Sequence, residues 1–180
     1  MLRILKQIAK TGIVTEAPPA PADAAAAVAR LQDEVLRTLG RALTIRQVDA
    51  GSCNGCELEI HALGNPIYNI EGLGIKFVAS PRHADLLLVT GPVSKHMAIA
   101  LKRTYDATPE PKLVVAVGDC GCTGGIFGEG YATVGRVANV IPVDVEVPGC
   151  PPTPTALLRG ILAAINARSP GAAREPASAR

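Results

Sequence analysis

Two periodicities divide the chain. Over the first ten residues Met1, Leu2, Leu5 and Ile8 fall on one face of a short helix, with Arg3, Lys6 and Lys10 largely elsewhere. A basic amphipathic helix of this kind lies on a membrane or a partner, or docks on its own domain; so short a pattern fits both readings equally. Thr15 to Pro21 is a Pro/Ala-rich linker. Between Ala22 and Ala42, Leu31, Val35, Leu36 and Leu39, continued by Leu43, recur at helical spacing and predict a second amphipathic helix.

From Thr44 onward short β-branched runs alternate with loops: Thr44 to Val48, Ile75 to Ala79, Leu86 to Val89, Leu113 to Val117 and Ile141 to Val147. Several are apolar at successive positions, as strands buried on both faces of a parallel sheet are. Helices fit at Glu57 to Leu63, Ser94 to Tyr105 and Thr153 to Ala167, the last entered through Pro151 and Pro152. The pattern predicts an α/β domain at 44–167 with a mainly parallel, doubly wound sheet. It is preceded by the helical extension and linker at 1–43. The segment 168–180 is Ala, Pro, Ser and Arg, too poor in large apolar side chains to fold alone, and reads as a tail.

Composition narrows the function classes. Of 180 residues 48% are hydrophobic but only 3% aromatic, with no Trp, so the core is built of Val, Leu, Ile and Ala. A net charge of +2, with no basic stripe interleaved with aromatics, argues against nucleic acid as a partner. No apolar run is long enough to span a bilayer, and the start has neither an h-region nor a twin-Arg motif, which predicts residence in the reducing cytoplasm. Five cysteines there point to metal or redox chemistry rather than disulfides, and the odd count leaves one thiol over.

The cysteines stand beyond the carboxyl ends of predicted strands, where ligands gather in open α/β sheets: Cys53 and Cys56 after the first, Cys120 after Leu113 to Val117, Cys150 after Ile141 to Val147. Soft thiolates suit iron-sulfur clusters, and four of them complete a 4Fe-4S cubane with no position left for substrate. Glycines flank every site, and Pro151 follows Cys150 as in cluster-binding loops. A thioredoxin-like dithiol would leave Cys120 and Cys150 unexplained. A four-thiolate zinc site is chemically allowed, though it ordinarily pairs two close knuckles. Cys122, two residues from Cys120, reads as an ordinary buried cysteine, but periodicity alone does not choose between the two.

Other polar residues carry weaker signals. Glu57 and Glu59 follow the first cysteine pair, where a carboxylate relays protons or simply sits solvated or salt-bridged at a helix start, favoured by the dipole. Asp119 reads as a cap for the loop backbone. His61, His83 and His96 read as surface or supporting groups rather than metal ligands, and Arg82 and Lys95 serve equally as partner contacts or solvated charges. Gly72 and Gly74 lack the helix-opening glycine of a nucleotide site.

Three motifs, Cys53-Asn54-Gly55-Cys56-Glu57-Leu58-Glu59, Gly118-Asp119-Cys120 and Val147-Pro148-Gly149-Cys150-Pro151-Pro152-Thr153, together resemble the small subunit of group 4 energy-converting NiFe hydrogenases, including the formate hydrogenlyase branch, and the related 20 kDa (B) subunit of complex I. The resemblance covers roughly Thr44 to Ala164. It implies a flavodoxin-like domain with one 4Fe-4S cluster on Cys53, Cys56, Cys120 and Cys150, leaving Cys122 spare. It also implies partners: a catalytic large subunit, a ferredoxin-like electron-transfer subunit and membrane subunits, which would place the chain peripherally on the inner face of the cell membrane. Asn54 and Gly55 between the first two cysteines look like the hydrogenase branch, since complex I characteristically has them adjacent. The alternative is a complex I-like subunit whose cluster reduces quinone. No second C-x-x-C exists to hold nickel, no ferredoxin-like run follows, and the cluster-bearing extension of periplasmic hydrogenases is missing, so one cluster and no turnover by the chain alone are expected.

Overall fold

The computed structural model describes residues 42–167 together with Leu2, Lys6, Ala9 and Lys10, the last four helical. The helix expected over Ala22 to Ala42 lies, but for its last residue, outside them, as does the tail at 168–180.

Five strands, β1 (Leu43–Asp49), β2 (Ile75–Phe77), β3 (Leu86–Thr90), β5 (Leu113–Val117) and β7 (Val145–Val147), form one parallel sheet in the order β2-β1-β3-β5-β7. This is the flavodoxin-like winding, in which the strand order reverses beside β1 and opens a crevice beyond the carboxyl ends. The apolar runs explain the centre: every residue of β3 and β5 is buried. Their alternation sorts two cores. Leu86, Leu88 and Val115 face one layer, while Leu87, Val89, Val114 and Ala116 face the other.

On the first face lie α1 (Gly55–Ala62) and α4 (Pro154–Ala167). Helix α4 buries Leu157, Leu158, Ile161, Ala164 and Ile165, each large side chain contributing about 1.5–3 kcal/mol. It packs so close to β7 that a Cβ on Gly160 would fall 2.2 Å from Val147 Cγ2. On the second face lies α2 (Lys95–Ala107), started by Ser94, whose Oγ accepts from the Met97 N–H at 3.2 Å, and anchored by fully buried Leu101. A short α3 (Gly118–Thr123) follows β5 directly, and β4 (Val93–Ser94) pairs antiparallel with β6 (Thr133–Gly135).

The last strand is shorter than its sequence suggests. The run from Ile141 contains Pro142, which has no N–H for a ladder. Asp144 breaks the run further: its Oδ2 accepts from the Val114 N–H at 2.7 Å while its own N–H donates to Val114 O at 2.9 Å. Pairing with β5 therefore begins at Val145.

Candidate cysteine site at the carboxyl edge of the sheet

The first loop is built by polar side chains. Asp49, the last residue of β1, accepts from the Gly51 and Ser52 N–H groups with one oxygen, both at 2.8 Å, which turns the chain sharply off the strand. Ser52 Oγ then accepts from the Asn54 N–H at 3.1 Å and donates to Glu57 Oε2 at 2.6 Å. The other Glu57 oxygen accepts from Thr90 Oγ1 at the end of β3. This buried carboxylate, in the first turn of α1, ties the Cys53 loop to the middle of the sheet. It is neither solvated nor salt-bridged, as a helix-start carboxylate ordinarily is; two hydroxyls replace the water it gives up.

The second and third loops meet the first over the same edge. Gly118, at φ +81°, lets β5 pass straight into α3, and a Cβ there would sit 2.7 Å from Cys56 Sγ. Asp119 and Gly149 join the β5 and β7 loops through two hydrogen bonds, Asp119 N–H to Gly149 O at 2.9 Å and Gly149 N–H to Asp119 Oδ1 at 2.7 Å. Asp119, expected to cap its own loop backbone, thus reaches further, thirty positions along the chain.

Four thiols come together here. Cys56 is buried, Cys120 half-buried, and Cys53 and Cys150 exposed. The Cys56 thiol is pushed up to about 12, first by burial, then by the Glu57 carboxylate and by Cys53, Cys120 and Cys150. Burial, then Cys150 and Cys53, likewise raises Cys120. A thiol whose ionisation is opposed by neighbouring thiols, as those of Cys56 and Cys120 are, gains from a positive charge placed among them. Cys122 belongs elsewhere: it packs in the α2-side core with Val89, Ala116 and Val137, its Sγ 3.6 Å from Ala116 O, and its thiol is raised to about 11, chiefly by burial.

Among the described residues no three His, Cys, Asp or Glu side chains converge closely enough to hold a single ion. The donor set fits a polynuclear sulfur cluster: four soft thiols, three chain segments and a wall that glycine keeps open. A Cβ on Gly125, at φ +56°, would meet Cys120 Sγ at 2.8 Å. Exposed apolar side chains border the site, with Ile126 94% and Phe127 56% exposed just after Gly125, and Leu58 61% exposed on α1.

The remaining sequence candidates lie outside this convergence. Glu59 is half-buried on α1 without a hydrogen-bond partner among the described residues, and His61, His83, His96, Arg82 and Lys95 are exposed. Sequence reasoning missed Ser52 and Thr90. The signal for Thr90 is its hydroxyl at the end of the apolar run Leu86-Leu87-Leu88-Val89, a polar group where a buried strand needs none.

A parallel α/β domain that gathers four thiols at its carboxyl edge defines a class of small, cysteine-bearing redox subunit. The chain belongs to the NADH ubiquinone oxidoreductase, 20 Kd subunit family, whose model matches residues 53–164. That family consists of iron-sulfur-containing electron-transfer subunits of oxidoreductase complexes. The chain is similar to formate hydrogenlyase subunit 7 of Escherichia coli strain K12, 42% identical over 160 residues, or 85% of this chain. It spans 63% of that relative's length. A probable membrane-bound hydrogenase subunit of Pyrococcus furiosus is 46% identical over 132 residues, covering 73% of this chain and 79% of the relative. Among solved structures, a chain of the membrane-bound sulfane sulfur reductase, an archaeal respiratory membrane complex, superposes with a TM-score of 0.63 at 33% identity, covering 76% of this chain and 75% of that one. Among the described residues no helix is long and apolar enough to cross a membrane.

Proposed function

We propose that Cys53, Cys56, Cys120 and Cys150 hold one 4Fe-4S cluster, and that the chain relays electrons to or from a NiFe centre in the large subunit of a membrane-associated hydrogenase. One observation carries this reading: three strand-end loops bring Cys53, Cys56, Cys120 and Cys150 to one edge, near enough for Cys53 and Cys150 to raise the thiols of Cys56 and Cys120, while the fifth cysteine is turned into the opposite core. When bound, the cluster supplies one-electron uptake and release. The chain's own residues set its surroundings. Gly118 and Gly125 leave room beside Cys56 and Cys120, Asp119 fixes the distance between the second and third loops, and Glu57 fixes the first.

Exposed Cys53 and Cys150, together with exposed Ile126 and Phe127 in the loop after Cys120, call for a partner that covers them, because water at a cluster shifts its potential and exposes it to oxidation. That partner is the large subunit; a ferredoxin-like subunit exchanges electrons on the other side, and membrane subunits hold the assembly at the inner face of the membrane. The relatives named for hydrogenase and formate hydrogenlyase support this branch. The family's own description keeps a second reading in view, in which the cluster delivers electrons to quinone at the large-subunit interface.

Purification of the tagged chain with its partners, anaerobically from its native host, separates the two. Nickel together with hydrogen-dependent dye reduction establishes the hydrogenase reading. Iron without nickel or hydrogen-dependent activity establishes the quinone-reducing one.

A further inference from the structure

A second concavity, with none of the four thiols in its wall, lies at the β2 edge of the sheet. It has a volume of about 630 Å³ and is bounded by the ends of β1 and β2 and by α1, with Arg46, Asp49, Ile60, His61, Phe77 and Val78 in its wall. Its chemistry is lopsided. Arg46 projects from a strand whose neighbours Ile45 and Val48 are buried, and its Nε is itself buried with no acceptor among the described residues. A buried guanidinium N–H without an acceptor is costly, and such groups in folded proteins ordinarily have a partner. Asp49, also in the wall, does not remove the deficit: its Oδ1 accepts from the Gly51 and Ser52 N–H groups, and Arg46 Nε has no acceptor among the described residues.

Beside Arg46, Gln47, Asp49 and His61 the rest of the wall is apolar. Ile60 is buried, Val78 half-buried, and Phe77 is 40% exposed at the end of the outermost strand, beyond which no strand lies among the described residues. His61 adds a second nitrogen donor from α1. A cavity with carbon on one side and a forked cation on the other matches a carboxylate carried on an apolar stem, for which arginine offers two parallel N–H groups. The same strand that carries Arg46 ends in Asp49, whose turn sets the Cys53 loop.

We propose that this cavity receives an Asp or Glu side chain, flanked by apolar residues, from a partner subunit. The proposal rests on the reading that the chain works inside an electron-transfer complex. It deepens that reading by assigning a docking point outside the cysteine edge.

The test uses the tagged full chain in its native host, as wild type, Arg46→Met and Arg46→Lys, with partners washed off along a salt gradient. Arg46→Met is expected to lower the retained partner by roughly tenfold or more, as loss of one member of a desolvated charge pair does. Arg46→Lys recovers part of the loss. The iron content of Arg46→Met stays at the wild-type level and its melting temperature is equal or higher, because the change deletes a buried donor that had no acceptor. In parallel, Phe77→benzoylphenylalanine is photo-cross-linked in the assembled complex, and the captured peptide is expected to place Asp or Glu beside apolar residues. A wild-type salt profile for Arg46→Met, a cross-link to a basic peptide, or no cross-link, as with a cavity filled by water or a small acid, overturns the proposal. Wild-type chain that comes out without iron and without partners instead sinks the electron-transfer reading, before any variant is compared.

Discussion

Asp119 and Gly149 hold each other twice, backbone to backbone at 2.9 Å and backbone to carboxylate at 2.7 Å, so the turns bearing Cys120 and Cys150 move as one body. Asp119→Ala removes the charge-assisted bond and is expected to lower stability by about 1.5–3 kcal/mol. Asp119→Asn, which keeps an acceptor oxygen, loses less. Urea unfolding of the two variants measures the difference; equal stability of Asp119→Ala and wild type would show the clamp to be idle.

The cysteines divide by face. Cys150→Ser is expected to strip the cluster, read as lost iron and lost brown colour, while Cys122→Ala keeps both, because Cys122 packs among Val89, Ala116 and Val137 away from the other thiols. The reverse pattern would put Cys122 in the ligand set in place of Cys150 and overturn the assignment.

Alkylation gives an independent reading of the same division. In chain stripped of iron under reducing conditions, iodoacetamide near neutral pH is expected to modify exposed Cys53 and Cys150 first. Cys56 and Cys122 react last, since burial shields both and holds their thiols at about 12 and about 11, leaving almost no thiolate. Chain carrying its cluster should be protected at Cys53, Cys56, Cys120 and Cys150 alike. Peptide mass spectrometry counts each site.

Gly118 lies closer against a thiol than any other described glycine. At φ +81°, with Cys56 Sγ only 2.7 Å from where a Cβ would stand, Gly118→Ala strains the backbone by about 1–3 kcal/mol and displaces the thiol. Iron retention should fall more than stability does. Gly128→Ala supplies the control: it also has positive φ, but nothing lies within 4 Å of its added methyl, so it loses stability and keeps iron.

The parts of this fold that can be read in the sequence are those that one period governs. Leu113–Val117 is a buried strand because five consecutive apolar residues have no other way to be covered on both faces, and the structure places it between β3 and β7. The helix on Pro154–Ala167 is equally plain from its spaced Leu and Ile residues. Helix α3 is not, because Gly118-Asp119-Cys120-Gly121-Cys122 reads as loop; it is helical where tertiary contacts hold it, with Asp119 tied to Gly149 and Gly121 against the sheet. Strand ends pointed to the cysteine edge, but not to which thiol of Cys120 and Cys122 faces it. That choice depends on how a six-residue helix is rotated, which no short pattern encodes. Glu57 was visible as a carboxylate beside Cys56, yet its partners Ser52 and Thr90 come from different loops and are joined only by folding.

The clamp between Asp119 and Gly149 also says something about timing. A site whose walls come from three distant strand ends does not exist on a nascent or half-folded chain; the β7 turn must already be docked beside β5 before the fourth thiol is in place. Metal loading of such a site is a readout of finished folding, so maturation machinery acting on this protein would meet a completed sheet, and a chain that misfolds at β7 would be set aside unloaded rather than assembled.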